Sequence, residues 1–235
     1  GSSNGIVILE ARLAFIVMRV LWLGGWSPGP QLQLPASWDM IEPAIPMPPC
    51  GLRWCCNPFL VALVLVPCVA GHLLGSSGPA VQVFGWLLAA ALMRLLVAGV
   101  VYFSIQVGVR IAAAECKAAK PDLVVGFSWG GCVAAYGAAQ HQWAPPTILL
   151  APTVHAVMRI SLVGFPQVPS TVQVFHASND GFCPRTQVAA FEKLGCTVHE
   201  LPDEDHILCR QGTVRQIVAA AEHAAVGHGL DNPVE

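Results

Sequence analysis

Hydrophobic and polar positions divide the chain into three regimes. The middle carries two long apolar runs. Residues 59–74 (FLVALVLVPCVAGHLL) contain no Asp, Glu, Lys or Arg, and residues 81–103 (VQVFGWLLAAALMRLLVAGVVYF) contain only Arg94. Beyond the second run the apolar positions Ile105, Val109, Ala112 and Cys116 recur at helical spacing, with Gln106, Arg110, Glu115 and Lys117 elsewhere. That pattern predicts a helix that turns amphipathic and can pack on a sheet, stopped by Lys120-Pro121. Such a helix has up to about 39 residues and a length near 58 Å. On either side lie short apolar runs bounded by Gly or Pro, predicting strands at 19–23, 40–45, 123–126, 147–150, 171–175 and 196–201. Helices are expected after Ser128, over 185–194 and over 213–223. The alternation predicts an α/β fold with a mostly parallel sheet.

Between the two apolar runs lies Gly75-Ser76-Ser77-Gly78-Pro79, an uncharged turn that reads as the tip of a helical hairpin. A hairpin returns the chain to the side it left and so can be inserted in a single domain. The expected organisation is a first part of the domain at 18–50, the hairpin at 51–120, a second part at 121–228 and a tail at 229–235. The second run is long enough to span a bilayer, whereas the first is short and broken by Pro67. Arg53, Arg110 and Lys117 flank the hairpin and its tip is uncharged, which predicts that the flanks and the attached domain face the cytoplasm or its organellar equivalent. Two buried core helices, or a monotopic cap, are the competing reading, supported by Pro67, His72 and Arg94. Arg94 needs a partner in either case. Within the hairpin the choices are His72, Gln82 or carbonyls freed by Pro67, and the remaining choice is a group outside the chain.

Composition sharpens this picture. Hydrophobic residues make up 54% of the 235 and charged residues 11%, against roughly 45–50% and about 25% in ordinary soluble domains, so part of the chain is expected to meet lipid. A net charge of −2 gives no reason to propose a nucleic-acid partner. The nine cysteines include no C-x-x-C pair, so neither a disulfide framework nor a metal site is expected, and Cys116, Cys132 and Cys196 read as buried small hydrophobes. Cys55 and Cys56 precede the first apolar run, a position open to S-palmitoylation as well as to burial. Residues 5–17 lack a signal-peptide cleavage pattern, and Met18 offers an alternative start.

The stretch VVGFSWGG, residues 124–131, sets Ser128 between glycines directly after an apolar run. Gly-x-Ser-x-Gly is the spacing of a nucleophile elbow, where a serine occupies a strained strand-to-helix turn. Further on, VFHASNDGFCP ends a predicted strand with Asp180, and LPDEDHIL follows the last predicted strand with His206. With these three segments in this order the chain resembles the α/β-hydrolase superfamily over 19–49 and from 121 to about 223, with the apolar hairpin inserted where that family has only a helix. The resemblance implies a cofactor-free serine hydrolase in which Ser128 is the nucleophile, His206 the general base and Asp180 the orienting acid. Asp203 and Asp205 are rival acids, and Asp180 is preferred because it follows a strand and precedes Gly181 and Pro184 as the family pattern has it. It also implies an oxyanion hole made by the backbone N–H of Trp129 and a second N–H from the loop after the first strand, at Gly25 or Trp26. That loop, GGWSPGP, lacks the family's His-Gly pair and is equally a plain turn.

Where the family inserts a cap, residues 153–170 supply a short, mostly apolar segment. Beside an apolar hairpin, this predicts a lipophilic acyl ester or thioester as substrate, with membrane lipids as surroundings. A second reading is a hydrolase-like subunit that docks through its hairpin on other membrane-protein subunits.

Overall fold

The computed structural model describes residues 17–27, 29–47, 66, 69, 72, 78–161 and 163–231. Six strands form one sheet: β1 (Arg19–Leu23), β2 (Asp39–Ile41), β3 (Leu123–Phe127), β4 (Thr147–Leu150), β5 (Gln173–Ala177) and β6 (Thr197–Leu201). Their order is β2-β1-β3-β4-β5-β6, and every pairing is parallel. All six lie where the apolar runs predicted them. The expected strand at 40–45 is cut to Asp39–Ile41, because Pro43 and Pro46 have no N–H to offer a neighbour. The strand order reverses between β1 and β3, which leaves a crevice beyond their carboxyl ends.

Alternate strand residues feed two cores. On one face Leu21, Leu23, Val124, Leu149 and Val174 pack against helices α1 (Pro79–Ala119), α2 (Trp129–Ala139), α3 (Val154–Ser161) and α4 (Arg185–Lys193). On the other, Val20, Trp22, Val125, Phe127, Ile148 and Phe175 meet Trp38 and α5 (Gln211–Asp231) through Ile217 and Ala221. Each large apolar side chain so buried contributes about 1.5–3 kcal/mol relative to exposure. Helix α5 continues to Asp231.

Helix α1 has 41 residues, about 60 Å at the standard rise. Gly78 and Pro79 open it, and Lys120 closes it with φ 48° and an N–H bond to the Cys116 carbonyl, after which Pro121 prevents continuation. Its buried positions from the middle onward are Ala98, Val101, Ile105, Gly108, Val109, Ala112 and Cys116, a stripe spaced by three and four residues that lies on the sheet layer. Before Ala98 only Ala89 is buried. The helix contains an 18-residue window of mean hydropathy 2.1 with 11% of it buried, long and apolar enough to cross a membrane. The reading of the hairpin as a pair of core helices therefore does not describe this arm. The first arm, at 59–74, and the tip lie almost wholly outside the described residues, apart from the helical Val66, Val69 and His72 and from Gly78 and Pro79. Cys55 and Cys56 also lie outside them.

Among the described residues, Arg94 finds its partners on another helix of the same chain. Its guanidinium donates to the backbone carbonyls of Arg159 and Ile160, the latter bond being the shorter and the former 2.6 Å. These carbonyls belong to the last turn of α3, where a helix leaves its C=O groups without intrahelical donors and where its dipole favours a cation. They lie 65 and 66 residues away in sequence, outside the hairpin.

Candidate active site

The crevice at the carboxyl edge of the sheet brings three distant residues together. β3 ends at Phe127, and Ser128 follows with φ 54° and ψ −115° before α2 begins at Trp129. A non-glycine residue there costs on the order of 1–3 kcal/mol and persists only where neighbours over-determine it. The neighbours are visible. Ser128 N–H donates to the Leu150 carbonyl at 2.9 Å, and its own carbonyl accepts from Cys132 N–H at 3.1 Å and Thr153 N–H at 3.2 Å. Thr153 Oγ1 adds a further bond to that carbonyl at 3.3 Å. The flanking glycine is sterically required: a Cβ at Gly130 would stand 1.9 Å from the Leu23 carbonyl oxygen. The pentapeptide is thus an elbow, with a tight turn that only a near-absence of side chains allows.

His206 Nε2 lies 2.8 Å from Ser128 Oγ, and His206 Nδ1 lies 2.6 Å from Asp180 Oδ2. The three residues singled out in the sequence therefore meet, in the mutual arrangement a proton relay needs. Asp180 is buried. Burial pushes its carboxyl up, but hydrogen bonds from His206 and Cys183, the neighbouring imidazole and the Phe182 N–H outweigh it and hold the group below the ordinary carboxylate value. The Phe182 N–H bond to Oδ1 measures 2.8 Å, so both carboxylate oxygens are engaged. The rival acids are placed elsewhere. Asp205 Oδ1 accepts the Ile207 N–H of its own loop at 2.9 Å, and Asp203 is exposed.

The histidine loop is anchored by a residue the sequence did not single out. Glu204 is buried, and its carboxylate accepts Thr213 Oγ1 at 2.5 Å and Arg210 N–H at 3.1 Å, at the start of α5. Its carbonyl accepts Asn179 N–H at 3.0 Å, while Ser178 Oγ accepts Asp203 N–H at 2.9 Å. These bonds fix the acid loop against the histidine loop and thereby set the Asp180–His206 spacing. A glutamate inside the run Asp203-Glu204-Asp205 has the look of a solvated acidic turn, and only the three-dimensional path of the loop reveals which of the three turns inward. Gln187 was missed for a similar reason. Buried on α4, it donates to the Pro152 carbonyl at 2.6 Å and accepts His155 N–H at 2.7 Å, tying the start of α3 to the acid's side of the crevice.

The loop after β1 closes the site on its remaining side. A Cβ at Gly25 would stand 2.6 Å from Ser128 Cβ, so this glycine is pressed against the serine, and Trp26 follows it at the surface. Cys209 Sγ reaches the Gly29 carbonyl at 3.3 Å, linking this loop to the histidine loop. Trp129 N–H, in the first turn of α2, has no intrahelical acceptor by position, and its side chain is fixed by an indole N–H bond of 3.1 Å to the Pro46 carbonyl. Of the backbone N–H groups named for an oxyanion hole, that of Trp129 directly follows Ser128 in the first turn of α2, and Gly25 lies against the serine.

Asp180, Cys183 and His206 place one ligand-type atom each within 4.8 Å of one another. The His206–Asp180 bond already occupies two of the three donors, and burial above all, with the Asp180 carboxylate beside it, pushes the Cys183 thiol far up, its Sγ lying 3.1 Å from the Pro152 carbonyl. A protonated thiol is a poor metal ligand, and the cluster is better suited to proton transfer.

The chain matches no protein-family model, and no curated protein matches it. Solved structures do. A "putative hydrolase" from Agrobacterium vitis S4 aligns over 90% of this chain and 89% of its own, with a TM-score of 0.52 at 14% identity. Esterase PE8 aligns over 88% and 93%, with a TM-score of 0.46 at 16% identity. The fold is that of the α/β hydrolases. At such identities the first likeness speaks for architecture alone, and the chemistry must be read from the site.

Proposed function

We propose that this protein is a membrane-associated serine hydrolase that cleaves a carboxylic ester or thioester of a lipophilic acyl group. One observation carries the reading: Ser128, His206 and Asp180 form a continuous hydrogen-bonded relay on a strained elbow. In the reaction Ser128 Oγ attacks the acyl carbonyl while His206 Nε2 takes its proton. Asp180 holds the imidazole in the tautomer with hydrogen on Nδ1 and stabilises the imidazolium that forms. The developing oxyanion is received by the backbone N–H of Trp129 and by that of Gly25 or Trp26. His206 then returns the proton to the departing alcohol or thiol, and water repeats the sequence to release the acid.

Membrane association rests on the exposed apolar half of α1 and on its direction. A helix crossing back to a parallel sheet runs antiparallel to its strands, so residues 79–97, about 28 Å of helix, lie toward the carboxyl edge, the edge that carries Ser128. Exposed Arg110 and Lys117 at the other end of the helix fit a domain on the cytoplasmic or equivalent organellar side. The same apolar half favours the second reading, a subunit docked on a membrane-protein complex. Fluorophosphonate labelling separates the two. The hydrolase reading expects labelling of the native protein and its loss in Ser128→Ala; a folded native protein that takes no label would leave the structural role.

A further inference from the structure

Each loop that builds the site also sets a large apolar side chain in the open beside it. Trp26, next to the glycine pressed against Ser128, is 62% exposed; Phe182, two residues after Asp180, is 58% exposed; Ile207, next to His206, is 44% exposed. A single exposed apolar residue is ordinary. Three of them stand here, each one or two positions from a group that handles the reaction, on three separate loops at one nucleophile.

The aromatic packing gives these residues a direction. The His206 imidazole lies between two phenylalanine rings, with Phe127 at 5.6 Å between centroids and Phe182 at 5.1 Å. Phe127 is fully buried and forms the floor. Phe182 performs the corresponding task from the solvent side, where half of its surface is uncovered. The short segment that stands in for a cap begins with α3, whose first turn binds Gln187 and whose last binds Arg94. Trp26, Phe182 and Ile207 are exposed with that segment in place.

We propose that Trp26, Phe182 and Ile207 form an apolar collar that receives the hydrocarbon chain of the acyl substrate and selects long chains over short ones, with Phe182 the main specificity-determining residue. The inference rests on the serine-hydrolase reading and deepens it. The collar opens at the edge toward which the apolar half of α1 lies, so a chain leaving an apolar phase beside that helix reaches Ser128 without crossing a polar surface. An acyl chain lying across Phe182 covers the ring face left open beside His206 and removes water from the imidazole during proton transfer, strengthening the electrostatic terms in the site.

The test uses the full-length, detergent-solubilised protein and p-nitrophenyl esters from butyrate to decanoate. The native protein is expected to favour decanoate in kcat/KM. Phe182→Ala should reduce the decanoate-to-butyrate ratio about tenfold, the factor for losing roughly half of the burial of one phenylalanine. Ser128 in that variant should still take a short-chain fluorophosphonate, at a reduced rate, which shows the site assembled, and Phe182→Leu should restore most of the ratio. Ile207→Ala should lower the ratio in the same direction, which keeps the proposal open to test were Phe182→Ala to misfold. A ratio unmoved in both alanine variants, with Ser128 labelling intact, overturns the collar and makes these side chains a contact patch for another protein. A native protein that takes no label overturns the hydrolase reading itself, and the collar with it.

Discussion

Helix α1 is one continuous element with two different surfaces, and the contrast locates the boundary between domain and surroundings. From Ala98 to Cys116 the buried positions follow a single stripe, and the opposite face carries Arg110 and Lys117. From Val81 to Val97 the large side chains Val81, Val83, Phe84, Trp86, Leu87, Leu88, Leu92, Met93, Leu95 and Val97 are exposed on all sides. The first pattern belongs to a helix that packs on a sheet and meets water. An all-round apolar surface belongs to a helix surrounded by lipid or by protein. Backbone geometry is the same in both halves, so the difference is written entirely in side chains.

The strongest way to break the comparison is to place one charge in each half. Ala112 is fully buried against the sheet layer, so Ala112→Asp strands an unpaired carboxylate there. The expected loss is about 3–5 kcal/mol, seen as failure to fold or as a large drop in thermal midpoint. Ala90→Asp changes an exposed position, where the carboxylate can reach water at the edge of the detergent, and should lower the midpoint far less. Equal losses at both positions would show that the two halves share one kind of environment.

A second experiment sharpens the character of the outer half. Changing Phe84, Leu87, Leu88 and Leu95 together to Gln should release the protein from membranes in a carbonate wash, while Ser128 keeps its reactivity toward a fluorophosphonate. If the outer half instead seats on a partner subunit, native protein is itself extracted by carbonate.

The legibility of the sequence follows the same division. Strands, the long helix and the elbow were readable because each is specified locally, by an apolar run, a three-and-four spacing or a Gly-x-Ser-x-Gly turn. Ser128, Asp180 and His206 were readable because each stands at a strand end and their order along the chain matches a known arrangement. What failed were long-range polar partners. Arg94 advertised its need for a partner but not the identity of one, because backbone carbonyls at a helix end leave no residue-type signature. Glu204 and Gln187 were invisible for the converse reason, since nothing in a short acidic run or an amphipathic helix marks the one polar side chain that turns inward. The strand predicted at 40–45 is shorter in the structure, Asp39–Ile41, because Pro43 and Pro46 offer no N–H to a neighbour whatever the apolar pattern.

Arg94 stands at the junction of the two halves, and the third prediction concerns it. Arg94→Leu removes two charge-assisted bonds to the end of α3, each of a kind worth about 1.5–3 kcal/mol to charged groups when well made, although part of this is returned when the carbonyls meet water. A net loss of about 1–2 kcal/mol in thermal stability is expected, with faster hydrogen exchange confined to residues 154–161. Arg94→Lys, with one compact ammonium in place of the fork, should recover about half of the stability. Unchanged exchange over α3 in Arg94→Leu would mean that this helix does not depend on the outer half at all.

The smallest effect is the most discriminating, because it compares two glycines on the same helix. Replacing an interior helical Gly by Ala gains about 0.5–1 kcal/mol from reduced backbone freedom when the new methyl meets nothing. At Gly99 a Cβ would have no neighbour within 4 Å, whereas at Gly108 it would stand 3.1 Å from Val133 Cγ1 on α2. Gly99→Ala is therefore expected to raise stability by the full gain. At Gly108 the same gain is opposed by a contact a few tenths of an ångström too close, in a layer where α2 is itself wedged between α1 and the sheet, and overpacking there costs about 1–3 kcal/mol. Gly108→Ala should thus be neutral to destabilising, and the difference between the two variants should lie near 1–2 kcal/mol by thermal or urea unfolding in detergent. If Gly108→Ala stabilises as much as Gly99→Ala, α1 and α2 are not in close contact at this point, and the inner half of the helix rests on the domain more loosely than its buried stripe implies.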